Sequence, residues 1–190
     1  MTVRTSTDLR FICLDTETTG LSDHYDRICE IAAVEFDPRT LSVIGRYQTY
    51  LNPQRRMPYG AYRVHGLSDD FLANKPLFAD VAPDFLDFVA GARVYIHNAN
   101  YDAKMLNAEL ARAGYPLLTS VCDDIVCTLR TAVKVRGRGR NRLDHLCDDY
   151  GVNRARRTHH GALLDCELLL EVMRAMRFRG VHFDGLPSGF

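Results

Sequence analysis

"RFICLDTETTG", residues 10–20, is an apolar run that ends in acids and then in a turn. RFICLDTE has the length and character of a buried strand, and TTGLSD that of the polar turn after it. Side chains alternate along a strand, so Asp15 and Glu17, two residues apart, project from one face. Two like charges at the end of a hydrophobic strand repel each other and lose hydration. Either a cation answers them or the strand end is open to water, and the D-x-E spacing alone favours water.

Working outward, RICEIAAVEFD and LSVIGRYQTYLN have the pattern of two further strands, joined across PRT in a hairpin-like connection. A short helix is expected near PYGAYRVHG. The periodicity of LFADVAPDFLDFVAG predicts a helix with Val81, Phe85, Phe88 and Val89 inward, closed by Gly91. RVYIH reads as a fourth strand, NANYDAKMLNAELARAG as a helix ending at Gly114, and LLTSVCD as a fifth strand leading into a helix from about Asp124. LDHLCDDYG is a short helix and residues 161–177 a long one. Three strands followed by strand–helix alternation predict an α/β fold, a mixed sheet with helices on both faces. One domain over residues 1–178 is expected, with 179–190 a short tail.

The chain has 190 residues, 46% apolar and 25% charged, the balance of an ordinary soluble globular protein. No apolar run approaches a membrane span and MTVRTSTDLR is too polar for a secretory signal, so a cytoplasmic location away from membranes is expected. Cys13, Cys29, Cys122, Cys127, Cys147 and Cys166 lie among apolar residues without paired zinc-ligand spacing and read as reduced core thiols. Formal net charge is zero. Arg130, Lys134, Arg136, Arg138, Arg140 and Arg142 nevertheless form an acid-free run, followed by Arg154, Arg156 and Arg157. A polyanion site and a solvated loop account for that run equally well.

A second stretch, "RRTHHGALLDCELLLEVM" at residues 156–173, carries another misplaced acid. Asp165 heads the helical stripe of Leu168, Val172, Ala175 and Met176, whereas Glu167, Glu171 and Arg174 form the polar face. An unpaired carboxylate there costs several kcal/mol, so Asp165 needs a partner. Asp102 begins the helix after RVYIH, where an acid also complements the helix dipole. If Asp15, Glu17, Asp102 and Asp165 converge, their hard oxygen donors suit Mg²⁺ or Mn²⁺ and not zinc. Two such ions clamp the attacking and leaving oxygens of a phosphodiester, and a neutral histidine takes the proton of the attacking water.

FICLDTETTG, VHGLSDDFLANKPLFADVAPDFLDFV, VYIHNANYDAKML, NRLDHLCDDYGV and RRTHHGALLDCELLLEVM stand in the order of the DEDDh 3′–5′ exonucleases. The chain resembles that family from about residue 10 to 177, most nearly the proofreading epsilon subunits of bacterial DNA polymerase III. The resemblance implies a ribonuclease H-like fold with a mixed five-stranded sheet. It implies four metal-binding acids, Asp15, Glu17, Asp102 and Asp165, holding two ions, Mg²⁺ or Mn²⁺. The family's general base precedes the last aspartate with four residues between, which selects His160; His159, one position early and often apolar in relatives, is then a partly exposed loop residue. Substrate contacts are implied for Thr18, Thr19, Gly20, His65 and Tyr101. Gly60 stands where related proofreading subunits can carry an acid.

The implied activity is 3′–5′ hydrolysis at single-stranded or frayed DNA 3′ ends, releasing 5′-mononucleotides. The implied partner is a replicative DNA polymerase subunit, although related polymerase-binding segments lie beyond the nuclease domain and only about a dozen residues follow the last helix here. RNA trimming is the neighbouring reading, because relatives with the same five residues act on RNA. A noncatalytic binding or scaffolding module would be expected to lack one or more of the five, and all five are present.

Overall fold

The structure, a computed structural model, describes residues 9–155 and 159–187. Strand β1 (Arg10–Thr18) runs through the middle of the sheet and pairs antiparallel with β2 (Ile28–Phe36), which pairs antiparallel with β3 (Val43–Tyr50). Short helices α1 (Tyr59–His65) and α2 (Asp69–Leu72) lead to α3 (Phe78–Val89). Strand β4 (Ala92–Ile96) lies parallel to β1 on its other side and feeds α4 (Ala99–Arg112). A one-turn helix α5 (Leu118–Val121) precedes β5 (Asp124–Cys127), parallel to β4. Helices α6 (Thr128–Arg136), α7 (Leu143–Tyr150) and α8 (Ala162–Phe178) follow. The strand order β3-β2-β1-β4-β5 is the mixed five-stranded sheet expected from the sequence.

The alternation along β1 divides the core in two. Ile12 and Leu14 pack with Ile31, Ala33, Val94 and Ile96 under α3 and α4. Phe11 and Cys13 pack with Ala32, Val34, Phe36 and Tyr95 under α7 and α8. A sheet covered on both faces explains why β1, β2 and β4 read as apolar runs and not as alternating strands. All six cysteines are free thiols, and four of them are buried.

Three local expectations are corrected. LLTSVCD is not the fifth strand: Leu118–Val121 forms a helical turn, its first amide donating to Asn107 Oδ1 at 2.8 Å and Leu118 buried in the α3/α4 core. The strand is the β-branched DIVC just beyond, in register with β4, and the next helix starts at Thr128 instead of Asp124. In α3 the buried face is Phe78, Ala82, Phe85, Leu86 and Val89, while Val81 and Phe88 are only partly covered. The segment from Arg179, expected as a tail, returns to the core: Val181 and Phe183 are buried, and Tyr95 donates its hydroxyl to the Asp184 carbonyl at 2.7 Å.

Phe183 is 3% exposed. Truncating it to alanine is therefore expected to cost about 3–5 kcal/mol in urea unfolding, as for other buried aromatics. A loss under about 1 kcal/mol, typical of a surface position, would mean that this segment is not part of the core.

Candidate active site

Asp15 and Glu17 extend the Phe11–Cys13 side of β1, which faces α8, while Thr16 points to the opposite side. Asp165 enters from α8 in its first turn and is 6% exposed. Asp102 comes from the other face, in the first turn of α4. The turn from β4 into α4 is tight because Asn98 adopts a left-handed conformation, φ 73°, which asparagine tolerates better than most residues. Asp102 then reaches β1 directly: its Oδ1 accepts from the Thr16 amide at 3.1 Å and from the Thr16 hydroxyl at 2.7 Å. The β1–β2 register shifts between Glu17 and Thr18, placing an irregularity at the site, where bulges commonly re-aim side chains.

The acids converge. Asp15 is raised well above the usual carboxylate range, first by burial and then by the charges of Asp102, Asp165, Glu17 and Glu30. Burial pushes Asp102 up to about 7, against the lowering effect of its Thr16 bonds. Ligand atoms of Glu17, His160 and Asp165 lie within 4.8 Å of one another, and His160 Nδ1 is 3.3 Å from Asp165 Oδ2. His160 is thus the member of the doublet that joins the acids. His159 is exposed, and its ring lies against Gly66, where an added Cβ would come within 3.3 Å. A carboxylate cluster with one imidazole, held together against its own repulsion, fits hard divalent cations.

The TTG turn is clamped from two sides. Tyr101 and Thr18 both donate their hydroxyls to the Gly20 carbonyl at 2.7 Å. On the other side Asp26 accepts from the Thr19 hydroxyl, the Ser22 amide and Arg55. A Cβ on Gly20 would fall 2.5 Å from that carboxylate, so a larger residue there would displace Asp26 from its bonds. Tyr101 therefore fixes the turn through its hydroxyl and is only partly buried. His65 is 5% exposed; its Nδ1 accepts from the Leu67 amide at 3.1 Å, and its ring also bonds the Thr18 backbone. Burial lowers its pKa below the ordinary histidine value. The ring ties α1 to the end of β1. The His160 amide in turn donates to the Val64 carbonyl at 2.9 Å, so α1 braces the base-bearing loop as well.

Three residues escaped the sequence reading. Glu30, on β2 opposite Glu17, is 2% exposed and raised by burial. An acid flanked by apolar residues in the ICEIAAVEF strand carried the same signal as Asp165 in its helix. Asp26 gave no signal beyond a polar turn. His97, at the end of β4, bridges the Thr128 hydroxyl and the Asn141 carbonyl at 3.0 and 2.9 Å, knitting α6 and the following loop to the site. The basic run divides: Arg136 is paired with Asp149, and Arg154 with Asp148 and Asp144, whereas Arg138, Arg140 and Arg142 are exposed. Arg156 and Arg157 lie outside the described residues.

The raised acids fix the sign of a pH effect. A carboxyl whose folded pKa exceeds its unfolded value stabilises the fold below the unfolded pKa, and that contribution is lost as pH rises through the folded pKa. For Asp102 this window runs from the ordinary aspartate value to about 7. In chelator, Asp102→Asn should therefore gain in Tm relative to the native protein as pH is raised from 5 to 8. A difference that is flat or shrinks across that range would remove Asp102 from the strained cluster.

The sequence matches the exonuclease family RNase_T over residues 12–173. It is 42% identical over 174 residues to DNA polymerase III subunit epsilon of Salmonella typhimurium, covering 88% of this chain and 71% of that one. The epsilon subunit of Rickettsia felis is 44% identical over 169 residues, with 86% and 72% covered. Among solved structures, exonuclease X in complex with 5′-overhanging duplex DNA aligns with a TM-score of 0.70 at 22% identity, over 93% of this chain and 96% of that one. A zinc-bound E. coli exonuclease I–ssDNA complex aligns with a TM-score of 0.78 at 20% identity, over 90% and 41%. At these identities the structural likeness concerns the fold alone. Over nearly its whole described length, the chain belongs to the exonuclease family RNase_T.

Proposed function

We propose that this exonuclease hydrolyses the terminal phosphodiester at DNA 3′ ends, in the 3′–5′ direction, and releases 5′-mononucleotides. The observation that carries the reading is the convergence of four acids from β1, α4 and α8 with a histidine 3.3 Å from the last of them. Asp15, Glu17 and Asp165 would hold a pair of Mg²⁺ or Mn²⁺ ions, with Asp102 completing the shell of the second directly or through water. When bound, two such ions polarise the phosphate and stabilise charge on attacking and leaving oxygens.

His160 is the general base. Its side chain is 43% exposed, so water reaches it, and the Asp165 carboxylate beside Nδ1 favours the tautomer with the proton there. Nε2 is then the acceptor for the proton of attacking water. Water attacks phosphorus, the bond from phosphorus to the 3′ oxygen of the preceding nucleotide breaks, and the terminal nucleotide leaves with its 5′ phosphate. The clamped TTG turn offers Thr18, Thr19 and Gly20 to that nucleotide, and Arg138, Arg140 and Arg142 neutralise phosphates upstream. The loop that carries these arginines is rooted beside the site, because Asn141 bonds both His97 and the Gly137 carbonyl. The relatives named as DNA polymerase III epsilon subunits support DNA as substrate and a replicative polymerase as partner.

Asp165→Ala should lower turnover on a single-stranded oligonucleotide at least ~10²-fold, the scale of losing a group that organises transition-state charge. Its DNA affinity should change far less. Near-native turnover in that variant, or equal degradation with and without chelator, would remove the metal-dependent mechanism. Faster cleavage of RNA than of a matched DNA would reassign the substrate. Replacing Arg138, Arg140 and Arg142 by glutamine should flatten the slope of log affinity against log salt by about 2, as for three lost single-strand phosphate contacts. An unchanged slope would return the run to a solvated loop.

A further inference from the structure

Among the acids at this end of the sheet, Glu30 has no role in the chemistry above, yet at 2% exposed it is more deeply buried than Glu17, Asp102 or Asp165. It stands opposite Glu17 in the β1–β2 pairing and on the same face, toward α8. Desolvation and like charge both oppose a further carboxylate beside Asp15 and Asp165. Its two oxygens, however, are both engaged by protein donors. Oε1 accepts from Gln48 Nε2 at 2.7 Å, and Oε2 accepts from the Ala162 amide at 3.1 Å.

Ala162 is the first residue of α8, and the residue at its N-cap is Gly161, which has no side chain to cap with. A helix leaves its first amides without intrahelical partners, and a carboxylate there also meets the positive end of the dipole. Glu30 thus supplies from a neighbouring strand the cap that α8 lacks in its own sequence. Asp165 lies one turn further on, its amide bonded to the Gly161 carbonyl at 2.9 Å, and His160 immediately precedes the capped residues. We propose that Glu30 is a positioning residue of the hydrolytic site: by capping α8 in trans it fixes where Asp165 and His160 stand relative to the β1 acids. This rests on the exonuclease reading above for the chemistry, but not for the geometry.

The test uses Mn²⁺ titration of the whole chain by electron paramagnetic resonance, together with kcat and KM on a single-stranded DNA oligonucleotide. Glu30→Met fills similar volume without an acceptor. It should bind Mn²⁺ ~10–100-fold more weakly, the usual effect of removing a group that orients a metal ligand. Its kcat should fall with KM for DNA unchanged. Glu30→Gln keeps an acceptor for the Ala162 amide and, with the Gln48 amide reversed, satisfies both partners, so it should restore Mn²⁺ affinity and kcat. Should Glu30→Met not fold, Glu30→Ser replaces it, its hydroxyl being too short to reach the amide. Native Mn²⁺ affinity in Glu30→Met or Glu30→Ser, whatever its Tm, would overturn the proposal. Equal loss in Glu30→Gln would overturn it too, because charge and not the cap would then be what matters. If the native protein binds Mn²⁺ yet hydrolyses no DNA, the exonuclease mechanism fails while the affinity comparison still judges Glu30.

Discussion

Carboxylates crowded at the end of a hydrophobic strand are the constraint around which this molecule is arranged. Left alone, such a cluster would spread apart or turn to water, since each charge raises the cost of the next. Here three elements, β1, α4 and α8, deliver the acids and hold them by different means. Asp15 and Glu17 are placed by strand alternation, Asp102 by its bonds to Thr16, and Asp165 by the start of a long packed helix. The core on both faces of the sheet supplies the rigidity that keeps them together. Repulsion that the fold must resist is also what gives the cluster its appetite for cations.

The segments around the acids show the same economy of bracing. The TTG turn is tied through Gly20 to Tyr101 and through Thr19 to Asp26, while Arg55 reaches Asp26 from the loop after β3. Helix α1 is held by the His65 ring at the end of β1 and, through Val64, holds the backbone of His160. The residues expected to contact substrate take two structural places. Thr18, Thr19 and Gly20 form the turn itself, and His65 and Tyr101 keep it in place.

Much of this was legible in the residues. Strand runs, helical stripes and turns gave four of the five strands and the six helices longer than one turn, because those signals are local. Asp165 betrayed itself as an acid on an apolar stripe, and spacing together with family resemblance separated His160 from His159. What local pattern could not supply was which distant backbone a side chain would meet. Glu30 looked like one acid in a strand until its helix partner was known, and His65 became an internal tie only once Thr18 and Leu67 were beside it. LLTSV has the length and apolarity of a strand, but Leu118 satisfies the α3/α4 core better as a turn, and the short DIVC takes the sheet edge. The return of Val181 and Phe183 was invisible for the same reason, since two apolar residues in a glycine-rich ending have no period.

Helix α8 is at once a large piece of the core on the Phe11–Cys13 face of the sheet and the carrier of a site acid. Cys166 reaches the Ala32 carbonyl at 3.5 Å, and Met173 lies 4.0 Å from the Cys13 sulfur, both on the shaft below Asp165. A helix transmits axial displacement along its length, and packed interiors absorb little of it. A methylene gained or lost at Met173 is therefore felt two turns away, where the carboxylate must meet its partners within fractions of an ångström. The interior of this protein is in that sense under the discipline of its chemistry. Substitutions among its sulfurs and methyls can silence hydrolysis while leaving a folded, stable chain, and tolerance of the core cannot be judged by stability alone.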